Sequence, residues 1–237
     1  IERIVTMNET QHDNVKEYYG KVLQTKADLQ TSACCSIDDM PQNLKETLSR
    51  VHPEVQEKFY GCGSPIPPAL NGCTVLDLGC GTGRDTVMVA QQAGPTGKVI
   101  GIDMTEEQLT VARTHKQFHL NQFDLPETAL DFRHGFLEDL GATGIADNSV
   151  DVVISNCVLN LSPNKEKAFS EIFRVLKPGG ELYIADVFAD RRIPKSLAED
   201  PVLLGECLGG AMYTEDFRRL LVRLGVNDYR ICSSRIL

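Results

Sequence analysis

The chain is predicted to be an α/β protein: a mostly parallel, twisted sheet with helices on both faces, preceded by a helical and loop N-terminal extension. Three observations predict this. From Thr74 onward, apolar runs of strand length alternate with amphipathic stretches of helix length. The joints between them carry glycine, proline or a helix-capping residue. A glycine-rich turn also follows the first of these strands directly, where sheets of this kind bind ligands.

In the extension, Val15, Tyr18, Tyr19, Val22 and Leu23 recur at helical spacing. "TSACCS" breaks that pattern. A second helical segment runs through Leu44, Leu48 and Val51 to about Phe59, and the Gly/Pro-dense "YGCGSPIPPALNG" reads as a loop. "TVLDLG" is then a short buried strand, and "GRDTVMVAQQAG" a helix ending at Gly94. "KVIGIDM" is a second strand. The next helix opens with a Thr105 cap and has Glu106 and Glu107 in its first turn, where acidic side chains meet the positive end of the helix dipole. "LDFRHGFL" and "VDVVISNCV" are strands three and four. "NKEKAFSEIFRVL" is amphipathic through Ala168, Ile172, Val175 and Leu176, and "KPGG" stops it. "ELYIADVF" is a fifth strand, "TEDFRRLLVRLG" a last helix capped by Thr214, and "DYRICSSRIL" the start of a sixth strand. The extension is taken as residues 1–72 and the sheet domain as 73–237.

With 42% hydrophobic residues over 237 positions, the chain can bury one large core. Its formal net charge of −9 argues against a nucleic-acid partner, whose phosphates need basic patches. No apolar run approaches membrane-spanning length, so no membrane partner is expected. "IERIVTMNETQHDNV" has no signal-peptide core, so the eight cysteines are read as residents of a reducing, cytoplasmic compartment. A monomer is expected.

Gly79, Gly81 and Gly83 in "DLGCGTGRD" let the backbone turn and let a ligand approach with no Cβ in the way. Asp77 precedes them inside the strand. Asp103 ends strand two, where an acid can bond both hydroxyls of a ribose, and Met104 beside it can pack on an adenine face. A plain tight turn and a helix cap are the competing readings of the glycines and of Asp103. "VLDLGCGTG", "GIDM" and "RVLKPGGELYIAD" together resemble, in order, the motifs of class I S-adenosylmethionine-dependent methyltransferases. The resemblance implies a Rossmann-like, seven-stranded sheet with the cofactor's methionine part over the glycine loop and its ribose on Asp103. It places Phe136, Leu137 and Glu138 at the adenine, and Asn156 and Cys157 beside the sulfonium.

Cys157 therefore falls at the carboxyl end of strand four. Cys207 in "GECLGGAMY", Cys62 in "YGCGSP" and the pair Cys34 and Cys35 also lie at turns among small residues. Cys73, Cys80 and Cys232 sit in apolar runs and read as buried filler. Clustered thiolates select a soft centre. Trivalent arsenic is one, and its lone pair can attack a sulfonium methyl with no general base. His134, the histidine nearest the site, reads as a strand residue or cofactor contact.

The segments "YYGKVLQTKADLQTSAC", "FYGCG", "GIDMT", "ISNCVLNL" and "GECLGGAMY" resemble those of arsenite methyltransferases across nearly the whole chain. That resemblance implies that Cys62, Cys157 and Cys207 hold arsenic(III). It implies that Cys34 forms a disulfide with another of the set during turnover, with Cys35 adjacent. It also implies arsenite or its thiol conjugates as substrate and glutathione or thioredoxin as the thiol reductant. The sequence departs from the pattern at its end. It stops inside the sixth strand, and the subfamily's further C-terminal region does not follow, so a truncation is expected. A methyltransferase acting on carbon or oxygen of a small molecule, and a non-catalytic thiol protein that binds metalloids, stand as alternatives.

Overall fold

A computed structural model describes residues 7–23, 28, 40–226 and 228–236. Cys34 and Cys35 lie outside the described residues, and so does any bond they make. Helix α1 spans Met7–Glu17 and runs into a wide turn of helix, Tyr18–Val22. The single helix expected between Leu44 and Phe59 is two, α2 at Gln42–Leu48 and α3 at Pro53–Glu57. Proline is the reason. The residue before it is driven out of helical conformation, and His52 sits at φ −57°, ψ 134°. His52 Nδ1 then caps α3 by accepting from the Glu54 N–H at 3.3 Å.

The sheet consists of β1 (Thr74–Leu78), β2 (Lys98–Asp103), β3 (Leu130–His134), β4 (Val150–Asn156) and β5 (Leu176–Ala185), all parallel, in the order β3-β2-β1-β4-β5. The chain winds outward from β1 to β3 and then returns to the other side of β1. The crevice between the carboxyl ends of β1 and β4 is therefore the topological switch point, where open sheets bind ligands. Crossovers run through α4 (Arg84–Ala93), α5 (Glu106–Phe123) and α6 (Lys165–Val175).

Alternation along β1 divides the core. Val75 faces a layer built by Val87 and Met88 of α4 and Leu109 of α5, and the extension's Leu44, Leu48 and Val55 join it. Leu76 and Leu78 face the opposite layer with Phe169 and Ile172 of α6. Val75, Leu76 and Leu78 are fully buried, as expected for a central parallel strand covered on both faces. The remaining elements are β6 (Phe188–Ala189), α7 (Lys195–Ala198), α8 (Pro201–Gly205), β7 (Met212–Tyr213) and α9 (Thr214–Arg223), with β6 and β7 paired to each other.

Three expectations are corrected at the end of the chain. Thr214 is the first residue of α9, and Tyr213 is its cap. No strand forms in 228–236, so among the described residues the main sheet has five strands and not the start of a sixth. The strand-like pattern of "DYRICSSRIL" finds no partner to pair with. Cys232, expected as buried filler in that strand, is exposed instead.

Candidate active site

A cavity opens at the switch point, and its glycine-loop wall is made by backbone. Gly79 (φ 68°) and Gly81 (φ 54°) adopt left-handed conformations. A Cβ on Gly79 would stand 2.3 Å from the Val158 side chain, while Gly81 has nothing closer than Gln108 at 3.8 Å and leaves its face open to the cavity. Asp103 Oδ2 accepts from the Gly81 N–H and Oδ1 from the Thr105 N–H, both at 2.8 Å. These bonds fix the carboxylate and leave one lone pair on each oxygen directed elsewhere. Asp77, Asp103, Met104, Phe136, Leu137, Glu138 and Asn156 all line the cavity, as Gly79 and Gly81 do. Gly83 does not. Expected at the cofactor, it instead caps α4 at φ 85° and lets the helix approach the Phe132 ring, which a Cβ would meet at 2.9 Å.

The electrostatics of the wall favour a cation. Asp77, Asp85 and Asp103 line it together with Glu138, against Lys58 and His12. Burial, reinforced by the nearby Asp85 charge, pushes Asp77 up to about 8, and Thr86 Oγ1 donates to it at 2.6 Å. Burial likewise raises Asp103. A sulfonium and an amino group fit such a wall, because each would restore the charged form of an acid that now resists ionising. The acids, the cradle with no Cβ at Gly81 and the spare lone pairs of Asp103 thus fit S-adenosylmethionine.

Cysteines gather behind the opposite wall, where Cys157 lines the cavity. Cys62 and Cys157 form a disulfide with Cα atoms 5.8 Å apart. Cys207, fully buried, keeps its thiol and donates to the Cys157 carbonyl at 2.8 Å. The Cys157 and Cys207 sulfurs and an Asp186 oxygen lie within 4.8 Å of one another. All three cysteines expected at the site thus come together beside the cavity, two of them as a bonded pair where three separate thiolates were expected. Four non-glycine residues among those described have positive φ, and two of these are Cys157 (58°) and Cys207 (65°). The others are Asp124 and Asn148, residue types that tolerate this region. A left-handed cysteine costs roughly 1–2 kcal/mol, and such strain collects where geometry serves a site.

The extension holds this wall in place. Val15 packs against Cys157, Leu161 and Cys207. Tyr18 Oη donates to Glu206 at 2.9 Å and Tyr19 Oη to the Gly205 carbonyl at 2.8 Å, tying the wide turn to the segment that carries Cys207. Asn156, expected at the cofactor, lines the cavity, and its amide also holds a loop. Oδ1 accepts from the N–H groups of Cys62 (3.1 Å) and Gly63 (3.2 Å), while Nδ2 donates to the Gly63 carbonyl (2.8 Å) and to Asp85 (2.7 Å). Through these bonds it anchors the Cys62 loop.

Residue-by-residue reading missed several members of the site. Asp186 is part-buried, accepts from Asn160 Nδ2 at 2.7 Å, and is pushed up to about 7 by loss of solvation. Lys165, lowered by burial, donates to the Ser162 carbonyl at 3.1 Å, and Ser162 in turn bonds Glu138. Tyr19 and Gln108 meet over the cavity, Gln108 Nε2 donating to the Tyr19 carbonyl at 3.1 Å. Only Asp186, next to the apolar end of strand five, carried a sequence signal. His134 turns away, its Nε2 3.0 Å from the Met104 carbonyl, and is not among the cavity's lining residues. Cys80, read as filler, is buried against Gly101 and also touches the cavity.

A parallel sheet wound about this switch point, with a glycine loop after β1 and an acid closing β2, defines the Rossmann-like class I methyltransferase fold. The chain belongs to the methyltransferase domain family, whose model matches residues 69–225. It is 53% identical to the arsenite methyltransferase of Aquipseudomonas alcaligenes over 93% of this chain and 63% of that protein. It is 44% identical to the arsenite methyltransferase of Mus musculus over 95% of this chain and 60% of that one. Among solved structures it is similar to CrArsM, an arsenic(III) S-adenosylmethionine methyltransferase from Chlamydomonas reinhardtii. The TM-score is 0.75 at 47% identity, covering 79% of this chain and 63% of that one. The chain spans about three-fifths of the length of the curated relatives it matches. No helix among the described residues is long and apolar enough to cross a membrane.

Proposed function

We propose that this chain methylates trivalent arsenic from S-adenosylmethionine, the arsenic being held by Cys62, Cys157 and Cys207. The observation that carries this reading is the gathering of three cysteines, from positions far apart in the chain, around Cys157 at the wall of the glycine-loop cavity. The similarity to proteins named arsenite methyltransferases supports it. S-adenosylmethionine supplies an electrophilic methyl group on a cationic sulfur. The glycine loop and Asp103 hold the donor at one end of the cavity. The three thiols bind arsenite by replacing its three hydroxides, each thiol proton leaving with a hydroxide as water, which leaves a trigonal tris-thiolate centre with one lone pair. Asn156 and the extension fix the direction of that lone pair, and the remaining requirement is approach in line at about 3–3.5 Å. No side chain has to remove a proton.

Cys62 and Cys157 must be separated before they can bind arsenic. Two external thiols, from glutathione or thioredoxin, reduce the bond by exchange, giving two cysteine thiols and one external disulfide. Cys34 enters the same cycle as an exchange partner. The deciding experiment is titration of the reduced chain with arsenite, following thiolate–arsenic absorption and the count of reactive thiols. One arsenic should consume three thiols, and Cys157→Ser or Cys207→Ser should each weaken arsenic by on the order of 100-fold or more while leaving cofactor affinity unchanged. Arsenite consuming no thiols, or either variant methylating it at the parent rate, would overturn the reading.

A further inference from the structure

Away from the cavity, α3 and α5 meet in a cluster the proposed chemistry does not use. His52, Glu54 and His115 each present one donor atom, and the three atoms lie within 4.8 Å of one another. His115 Nε2 is 2.7 Å from Glu54 Oε2, and the His52 and His115 rings stack at 3.7 Å between centroids. The cluster is braced on both sides. His52 caps α3 through Nδ1, and its backbone N–H donates to Nε2 of the buried His119 at 3.0 Å. Lys58 Nζ takes the second Glu54 oxygen at 2.9 Å, so Glu54 Oε2 faces the histidines. All three side chains of the cluster are part-buried, close enough to the surface to rotate and to admit an ion.

We propose that His52, Glu54 and His115 form a binding site for a divalent transition-metal ion of the zinc or cobalt kind. Two imidazoles and one carboxylate are a donor set of borderline softness, suited to such ions and unlike the all-sulfur set at the cavity. A four-coordinate ion places its ligand atoms about 3.3 Å apart, given metal–nitrogen distances of about 2.0–2.1 Å, so closing the set requires the stacked His52 and His115 rings to turn edge-on to the ion. The ion takes the place of the hydrogen bond between His115 Nε2 and Glu54 Oε2. Water completes the coordination. Because α3 leads within five residues into the Cys62 loop, an ion bridging α3 to α5 clamps the base of that loop onto the cofactor domain.

Cobalt(II) alone is the probe, titrated into the 237-residue chain and followed by visible absorption and thermal melting. The expected result is one ion with a nitrogen–oxygen spectrum and a raised melting temperature. His115→Gln and the milder Glu54→Gln should each weaken it at least about tenfold, with folding checked by circular dichroism, whereas Cys207→Ser should bind as the parent does. Parent-like binding by both cluster variants overturns the proposal. So does a thiolate charge-transfer spectrum lost in Cys207→Ser, or the absence of cobalt and zinc binding at millimolar concentration.

Discussion

At the glycine-loop end of the cavity the chain needs only neighbours. Asp103 reaches back 22 residues to the Gly81 N–H, and the strands that bring them together are adjacent in the sheet. At the sulfur end it needs distance. Cys62 and Cys157 are 95 residues apart, Cys207 lies a further 50 along, and Tyr18 is tied to Glu206 across 188. The first end is made of main-chain donors and a fixed carboxylate. The second is made of side chains held by other side chains, on a backbone bent into conformations cysteine does not favour. An end built by backbone depends on the few side chains, such as Asp103, that brace it. An end built by remote convergence fails when any one anchor is removed.

Four substitutions can break or sharpen this contrast. The largest effect belongs to the glycine-loop end and is read by pH. Burial raises Asp77 from the ordinary carboxylate value of 3.8 to about 8. Between those limits the folded chain keeps a proton that the unfolded chain has released, so its stability falls as pH rises through that window. Asp77→Asn should flatten that fall by roughly 3–4 kcal/mol between about pH 5 and 8, measured by denaturant unfolding at a series of pH values. An unchanged slope would show that Asp77 is ionised in the folded chain. Next, Asp103→Asn should weaken the cofactor by about 1.5–3 kcal/mol, the worth of a charged hydrogen bond, read by calorimetry. An unaltered dissociation constant would leave Asp103 as a loop brace alone.

At the sulfur end, Asn156→Ala removes the four bonds that anchor the Cys62 loop and reach Asp85. Arsenic affinity should drop roughly 10–100-fold, as for outer partners of a metal ligand, with cofactor affinity nearly intact. Equal loss of both affinities would mean that the two ends are not separate. The smallest effect tests the strained backbone. Cys207→Gly should be more stable than Cys207→Ala by about 1 kcal/mol, because φ 65° suits glycine and strains alanine. The opposite order would mean that the surroundings impose no such strain.

The same contrast explains what could be read from sequence. Strand one, its glycine loop and Asp103 were legible because each is a local pattern within about thirty residues. The convergence of Cys62, Cys157 and Cys207 was legible through the type and setting of the residues, cysteine at turns, together with family likeness; no periodicity encodes it. The position of Asn156 in the cavity is legible from its place at a strand end, but its hold on the Cys62 loop is not, because sequence does not say which partner an amide will find. The helix packing of Gly83 is hidden for a related reason: the third glycine of a loop serves helix packing as readily as a ligand. The disulfide, the positive φ at two cysteines and the His52–Glu54–His115 cluster arise from tertiary contact and leave no pattern along the chain. The sixth strand shows the reverse error, a strand-like segment that joins no sheet among the described residues.

The handed bend at Cys157 and Cys207 bears on how such a site persists through generations. Glycine would relax the backbone at both places, but it would leave a void where Val15 and Leu161 now pack and would remove the Cys62–Cys157 bond. The two sulfurs therefore hold their places by packing and bonding as well as by what they capture.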